Sequence, residues 1–236
     1  MLNDVTLIQV IDDNHIKELK YSWETWKELK PEITKLPLYL VYDSDMETSL
    51  DTIDHIIDRP NVILHKFDNK KYYVNQRSAM LTSFFEGVRN IKTKYYLKLD
   101  TDCVATDNSK EWIRELYDRD KFCFISKGWS LSRKTYIEML ETWLNETGLF
   151  GDYSLLDGFV QKGAYKLKMK RIISWFFLCN VEWNNMMSEY CWKGDHYELP
   201  CPSQDTYLWY MAELTKTKYK RVDFKKLGFH HRKLRL

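Results

Sequence analysis

Three pairs of aspartates separated by one residue are candidates for binding a divalent cation: Asp43–Asp45, Asp100–Asp102 and Asp118–Asp120. Carboxylate oxygens suit Mg²⁺ and Mn²⁺, and a cation bound to only two of them keeps positions open for the phosphates of a substrate. Such triplets are common by chance, so their surroundings must decide among them. Asp118–Asp120 lies in a polar turn after a predicted helix, which favours a solvated loop.

Asp100 and Asp102 follow the apolar run Tyr95–Leu99, which predicts a buried strand. A predicted helix that carries Arg77 precedes this strand. The guanidinium of Arg77 has the donor geometry that suits a diphosphate, but a surface ion pair explains it equally well. Asp43–Asp45 also follows a strand pattern, so it stays a competing metal site.

The first half of the chain alternates strand and helix patterns. Strands are predicted at Val5–Ile11, Leu38–Tyr42, Val62–Phe67 and Tyr95–Leu99, and helices at 16–26, 53–57 and 75–88. Repeated units of this kind predict a mostly parallel sheet that binds ligands at the carboxyl ends of its strands. Asp12, Asp43 and Asp100 lie at such ends, where they could bind a ligand or simply form turns.

The second half is less regular. Strands are predicted at Phe122–Ser126 and Ile172–Cys179, and helices at Thr135–Trp143 and Thr206–Leu214. The composition, 44% hydrophobic and 30% charged with a net charge of +2, is that of an ordinary globular protein. No apolar run approaches the roughly 20 residues that span a bilayer. The start of the chain does not resemble a signal peptide, and the five cysteines include no Cys-x-x-Cys spacing, so we expect a cytoplasmic protein.

The order of these motifs resembles the nucleotide-sugar-dependent glycosyltransferases of the GT-A fold. The similar segments are QRSAMLTSFFEGV, YYLKLDTDCVATD with the family's Asp-x-Asp, FISKGWSLSRKTYIEML with its Gly-x-x-x-Ser-Arg, and CPSQDTYLWYMAEL with its Glu-Asp-x-x-Leu. The resemblance implies one α/β domain over 1–236, with a mostly parallel central sheet flanked by helices. Residues 1–107 would bind the nucleotide sugar, and the less regular half, 108–236, would bind the acceptor.

The resemblance also implies the activity and the metal. The protein would be a hexosyl- or pentosyltransferase that moves a sugar from a nucleoside diphosphate sugar, with a UDP-sugar favoured, to an acceptor hydroxyl. Asp102 would bind Mn²⁺ or Mg²⁺ directly, and Asp100 would either bind the ion through water or contact the ribose. A histidine near the C-terminus would be a third ligand, for which LGFHHR offers His230 and His231. Of the two, His230 is expected to be better placed at the end of a strand.

An inverting transfer needs a carboxylate that accepts the proton of the acceptor hydroxyl. The resemblance assigns this role to Asp205, because Gln204 stands where many members of the family have Glu. The position of Asp205 at the start of a helix would equally suit a plain N-terminal charge.

Further substrate contacts follow from the same resemblance. Asp12 and Asp43 would contact the nucleotide. Independently of the resemblance, the donor geometry of Arg77 would suit the diphosphate. Aromatic rings could stack against an acceptor or simply pack in the core, and the candidates are Trp129, Trp175 and Trp209.

Two other classes of function compete. The segment LDTDCV also resembles the opening motif of haloacid dehalogenase-like phosphohydrolases, with Asp100 as nucleophile and Asp102 as general acid and base. That motif should end the first strand of its fold, whereas three strand–helix units precede it here. A nucleic-acid-binding module could instead use the basic stretch 216–235, and a combined possibility is a transferase whose acceptor is a modified DNA base rather than a glycan. The sequence does not indicate the oligomeric state.

Overall fold

The computed structural model describes residues 2–71, 76–126, 129–135, 168–197 and 204–231. The strands are β1 (Val5–Ile11), β2 (Leu38–Asp43), β3 (Val62–Phe67), β4 (Tyr95–Leu99), β5 (Cys103–Ala105), β6 (Phe124–Ser126), β7 (Trp129–Thr135), β8 (Lys168–Ile172), β9 (Phe176–Asn180), β10 (Tyr219–Arg221) and β11 (Phe229–His231). The α-helices are α1 (His15–Leu29), α2 (Asp54–Ile57), α3 (Gln76–Asn90), α4 (Glu111–Leu116), α5 (Val181–Cys191), α6 (Gln204–Leu214) and α7 (Phe224–Leu227). None of these helices has both the length and the apolar character needed to cross a membrane.

Seven strands form the central sheet in the order β10-β6-β9-β4-β1-β2-β3. Neighbouring strands are parallel except at β9, which runs antiparallel to both β4 and β6. Helix α1 packs its buried Trp23 and Trp26 against one face, and α3 and α5 pack Phe85 and Met187 against the other. Because helices cover both faces, the central strands are apolar on both sides. The predicted mostly parallel α/β architecture is therefore confirmed.

The predicted strand Ile172–Cys179 was wrong in one respect, because it is two strands. Strand β8 ends at Ile172 and pairs with β7 in a separate two-stranded sheet, whereas β9 begins at Phe176 and joins the central sheet. Only Ser174 interrupts the apolar run, and a single serine does not reveal that the hydrogen-bonding partner changes between these residues. Of the predicted helix Thr135–Trp143, Thr135 ends β7 and the remainder lies outside the described residues.

The order of the strands reverses between β1 and β4. The chain adds β2 and β3 on one side of β1 and then places β4 on the other side. The connections that leave β1 and β4 therefore diverge and open a crevice at the carboxyl ends of the two strands. Parallel sheets of this kind bind their ligands in that crevice.

Candidate active site

A pocket of about 370 Å³ opens at this crevice between β1 and β4. Its walls include His15 and Glu18 from α1, the segment Asp100–Asp102 that follows β4, and Ser174 and Asp205 from the second half of the chain. Both halves of the sequence thus contribute polar side chains to one cavity.

Asp100, Asp102 and His231 meet in this pocket. The Nε2 atom of His231 lies 3.0 Å from Oδ1 of Asp102 and 3.4 Å from Oδ2 of Asp100. In the described part of the chain, these residues form a group whose potential ligand atoms all lie within 4.8 Å of one another. Two carboxylates and an imidazole within this distance can bind one divalent cation.

His231 reaches the acid pair because β11 pairs antiparallel with β5. In this register His231 is opposite Cys103, the residue that follows Asp102, and His230 is one position further along. Side chains alternate between the two faces of a strand, so His230 points away from the site and is exposed. The expectation that His230 would be the better placed histidine is thus corrected by the register of the strands.

Helix α1 holds the loop that carries the acid pair. The hydroxyl of Ser22 donates to the carbonyl of Thr101 at 2.6 Å, and Nε1 of Trp26 donates to the carbonyl of Cys103 at 2.7 Å. The hydroxyl of Thr101 donates to Oε2 of Glu18 at 2.7 Å. Residues 18, 22 and 26 follow each other at a spacing of four, so they share one face of the helix. This face fixes both the backbone and the side chain of the loop.

The pKa values of the three clustered residues reflect a balance between burial and neighbouring charges. Burial opposes the ionisation of Asp100, but Lys98 and His231 outweigh it and hold the pKa of Asp100 well below its usual range. The pKa of Asp102 is raised by burial and by the neighbouring carboxylates of Asp100 and Glu18, although His231 opposes this. The hydrogen bond with Asp100 raises the pKa of His231. A divalent cation would relieve the repulsion between the carboxylates, so the donor set fits Mn²⁺ or Mg²⁺.

Asp205 lies in the first turn of α6 and lines the same pocket. The hydroxyl of Ser174, which is buried, donates to Oδ1 of Asp205 at 2.8 Å. When a hydroxyl donates to one of its two oxygens, a carboxylate keeps a defined orientation, as a general base requires. Ser174 is a lone serine between two strands, so no pattern in the sequence indicated its role.

The carboxylate of Asp12 is hydrogen-bonded to neighbouring residues of its own chain segment. Its Oδ1 accepts hydrogen bonds from the backbone N–H groups of Asn14 and His15 at 2.8 and 2.9 Å, and from Nδ1 of His15 at 2.6 Å. Although burial opposes it, this bonding lowers the pKa of Asp12 to about 2. Of the two residues, His15 lines the pocket. The spacing Asp-x-x-His at the start of a predicted helix was the available signal for His15.

The two other aspartate pairs have local partners. Asp43 accepts from the backbone N–H of Asp45 at 3.3 Å and from Nδ2 of Asn69 at 3.1 Å, and Asp45 forms an exposed ion pair with Lys70. Asp43 is not among the described residues that line the pocket. These contacts stabilise a turn.

At the other end of the sheet, surface lysines neutralise the third aspartate pair. Asp118 contacts Lys121 at 2.8 Å and Lys220 at 2.7 Å, and Asp120 contacts Lys94 at 2.8 Å. The predicted solvated loop agrees with this arrangement.

The remaining candidates differ in how far the structure describes them. The ring of Trp175 stacks on His231 with 5.3 Å between centroids and 15° between planes, so it supports the histidine. Nε1 of Trp209 donates to Glu213 at 3.2 Å. Arg77 lies in the first turn of α3 and Trp129 in β7, but their side chains lie outside the described part of the protein.

No protein-family model and no curated protein sequence matches this chain, whereas solved structures do. Core-mannan synthase A from Aspergillus fumigatus, in its Mn/GDP form, superposes with a TM-score of 0.56 at 11% identity over 97% of this chain and 74% of its own. The galactosyltransferase LgtC, solved with donor and acceptor sugar analogs, gives a TM-score of 0.51 at 14% identity over 89% and 70%. The fold is that of the GT-A glycosyltransferases. TarS 1–349 from S. aureus has a TM-score of 0.50 at 10% identity, over 93% of this chain and 58% of its own.

Proposed function

We propose that this protein is a metal-dependent glycosyltransferase that moves a sugar from a nucleoside diphosphate sugar to an acceptor hydroxyl. The observation that carries the proposal is the meeting of Asp100, Asp102 and His231 with Asp205 in one pocket at the crevice of a GT-A fold. A UDP-sugar is our preferred donor. GDP-sugars are the second choice, since core-mannan synthase A was solved in a Mn/GDP form.

Each of these residues has a defined part in the transfer. Asp100, Asp102 and His231 hold Mn²⁺ or Mg²⁺, which when bound neutralises the charge that develops on the leaving diphosphate. Asp205, oriented by Ser174, accepts the proton of the acceptor hydroxyl as that hydroxyl attacks the anomeric carbon. Attack from the face opposite the diphosphate inverts the configuration of the anomeric carbon.

A glycan hydroxyl is the acceptor that we favour over a modified DNA base. LgtC, whose fold is similar, was solved with an acceptor sugar analog, which supports a sugar acceptor. In the described part of the basic stretch, Lys220 is paired with Glu115 and Asp118 at 2.7 Å each, whereas Lys216, Lys218 and Lys226 are exposed, so a DNA acceptor is our second choice. We favour a glycosyltransferase over a phosphohydrolase, because Asp100 follows the fourth strand of a GT-A sheet and not the first strand of its fold.

Thermal-shift measurements test the proposal directly. UDP, GDP and their sugars are added to the protein with and without Mn²⁺, and a ligand that binds the folded state raises the melting temperature. We expect a shift that requires both metal and nucleotide, followed by metal-dependent release of the nucleoside diphosphate when an acceptor is supplied. The absence of any metal-dependent shift across this panel would refute the proposal.

A further inference from the structure

Lys98 lies on β4, and Asp100 follows it by two residues, just beyond the end of the strand at Leu99. Its ammonium group forms an ion pair with Asp100 and donates to the carbonyl oxygen of Ser174 at 3.2 Å. The side chain is only 15% exposed and lines the pocket. A nearly buried cation therefore lies between the metal-binding group and the Ser174–Asp205 hydrogen bond.

A lysine at this position would be unfavourable if the pocket bound only a metal ion. The ammonium group repels a divalent cation and competes with it for the carboxylate of Asp100. The pairing does neutralise Asp100 in the absence of metal, but His231 also contacts that carboxylate at 3.4 Å. A purely metal-binding pocket would hold its ion more tightly with a neutral residue in place of Lys98.

The cation is favourable once an anion occupies the pocket. An ammonium group has three N–H donors, and the contacts to Asp100 and Ser174 account for two of them. When a metal ion binds Asp100, the donor that pointed at that carboxylate is also released. Charge-assisted hydrogen bonds to phosphate oxygens are among the stronger polar contacts that a protein makes.

We propose that Lys98 is a diphosphate-binding residue, which neutralises Asp100 in the free protein and donates to a phosphate oxygen of the donor when metal takes that carboxylate. The inference rests on the proposed function, because it specifies how the same pocket binds the leaving diphosphate. It makes a prediction of opposite sign for two ligands. Removing the charge strengthens the binding of metal alone and weakens the binding of the nucleoside diphosphate.

The test compares Lys98→Gln with Lys94→Gln, which removes the same charge from an exposed lysine that pairs with Asp120. Calorimetric titration gives the affinity for Mn²⁺ alone and then for UDP, with GDP in parallel, at saturating Mn²⁺. For Lys98→Gln we expect Mn²⁺ to bind about tenfold more tightly and the diphosphate about tenfold more weakly. For Lys94→Gln both affinities stay within about twofold of the parent, because an exposed charge is screened.

Lys98→Arg provides a second test that retains the charge. We expect it to bind the diphosphate within about threefold of the parent, since a guanidinium group also donates to phosphate. This variant decides the question even if Lys98→Gln proves unstable, because a loss of diphosphate binding in Lys98→Arg, at an unchanged melting temperature, would contradict the role of the charge.

The outcomes separate this inference from the proposed function. If the parent protein binds neither UDP nor GDP with Mn²⁺, the glycosyltransferase proposal fails and the role of Lys98 fails with it. If the parent binds them and Lys98→Gln binds them equally well, only the role of Lys98 is refuted. Weaker Mn²⁺ binding by Lys98→Gln would also refute it, because that result would make Lys98 a structural brace for Asp100.

Discussion

Asp43–Asp45 and Asp100–Asp102 share their spacing and their position after a parallel strand, yet they lie in different chemical surroundings. The first pair is bonded to its own turn, to Asn69 and to Lys70. The second pair is joined by His231 from a strand that lies far away in the sequence, and α1 holds its loop in place. An Asp-x-Asp therefore becomes a candidate metal site when the fold places a further ligand, here His231, beside it.

The largest expected effect tests this contrast between the two pairs. Asp102→Asn removes a carboxylate ligand, so we expect loss of the Mn²⁺-dependent thermal shift and a fall in turnover of about a thousandfold. Asp45→Asn, the matched change in the other pair, should leave both properties within about twofold of the parent, because its partner Lys70 is exposed. Equal effects in the two variants would remove the distinction between the pairs.

The second largest effect is expected at Asp205, the proposed general base, which lines the pocket of the Asp100–Asp102 pair. Asp205→Asn should lower kcat by about a hundredfold or more and leave the affinity for the nucleoside diphosphate unchanged. Ser174→Ala should lower kcat less, by about tenfold, because it loosens the orientation of the carboxylate without removing it. If Asp205→Asn keeps turnover within about tenfold of the parent, Asp205 is not the base.

A third comparison uses the neighbouring histidines of β11. His231→Ala removes a metal ligand, so we expect the Mn²⁺ affinity to fall by about ten- to a hundredfold in calorimetric titration. His230→Ala serves as the control, because that side chain is exposed on the opposite face of the strand. A larger effect from His230→Ala would mean that β11 pairs with β5 in another register.

The turn that leads into β11 gives a smaller, purely structural effect. Gly228 has a positive φ of 69°, and a Cβ atom there would lie 2.0 Å from Oδ1 of Asp107. We expect Gly228→Ala to lower the free energy of unfolding by about 2 kcal/mol, measured by denaturant titration, and to weaken Mn²⁺ binding through His231. Gly194→Ala is the control, since Gly194 also has a positive φ but nothing within 4 Å, so it should cost about 1 kcal/mol and leave metal binding unchanged.

The smallest effect is expected at Asp12, which resembles Asp43 in being bonded to its own chain. Its pKa of about 2 lies below 3.8, the ordinary value for an aspartate, so its ionised form stabilises the folded state above pH 3.8, and this stability is lost as the pH falls towards 2. Comparing the unfolding free energies of the parent and Asp12→Asn should give a difference of about 1 kcal/mol near pH 5, allowing for the partial exposure of Asp12. The difference should shrink on acidification, and a constant difference down to pH 2 would contradict the assignment.

Much of the first half of the chain could be predicted from local patterns. The strands Val5–Ile11, Val62–Phe67 and Tyr95–Leu99 have the predicted bounds, because a buried parallel strand is a short apolar run whatever its neighbours are. The second half was less predictable. Strands β10 and β11 have three residues each, which is too short for a period of alternation to be recognised.

The missed residues of the site have a common cause. Lys98 and Ser174 became candidates only when β9 was placed beside β4, which brought the carbonyl of Ser174 to the ammonium of Lys98. His15 rather than Asp12 lines the pocket. The carboxylate of Asp12 bonds to the nearest backbone N–H groups at the start of the helix, and the imidazole of His15 lies at the pocket wall. The pairing of β9 with β4 is not visible in the composition or spacing of either segment, whereas the spacing Asp-x-x-His was the available signal for His15.

Local sequence patterns are enough to predict the apolar strands, the helices that cover them and the acidic residues at strand ends. These features depend on interactions between residues near in the chain and on the burial of apolar side chains. The pairing of distant strands is needed to show which aspartate pair has a histidine beside it, that His231 rather than His230 faces this pair, and that Lys98 lies next to it. Strand pairing sets a register between distant segments, and a shift of one residue turns every side chain to the opposite face.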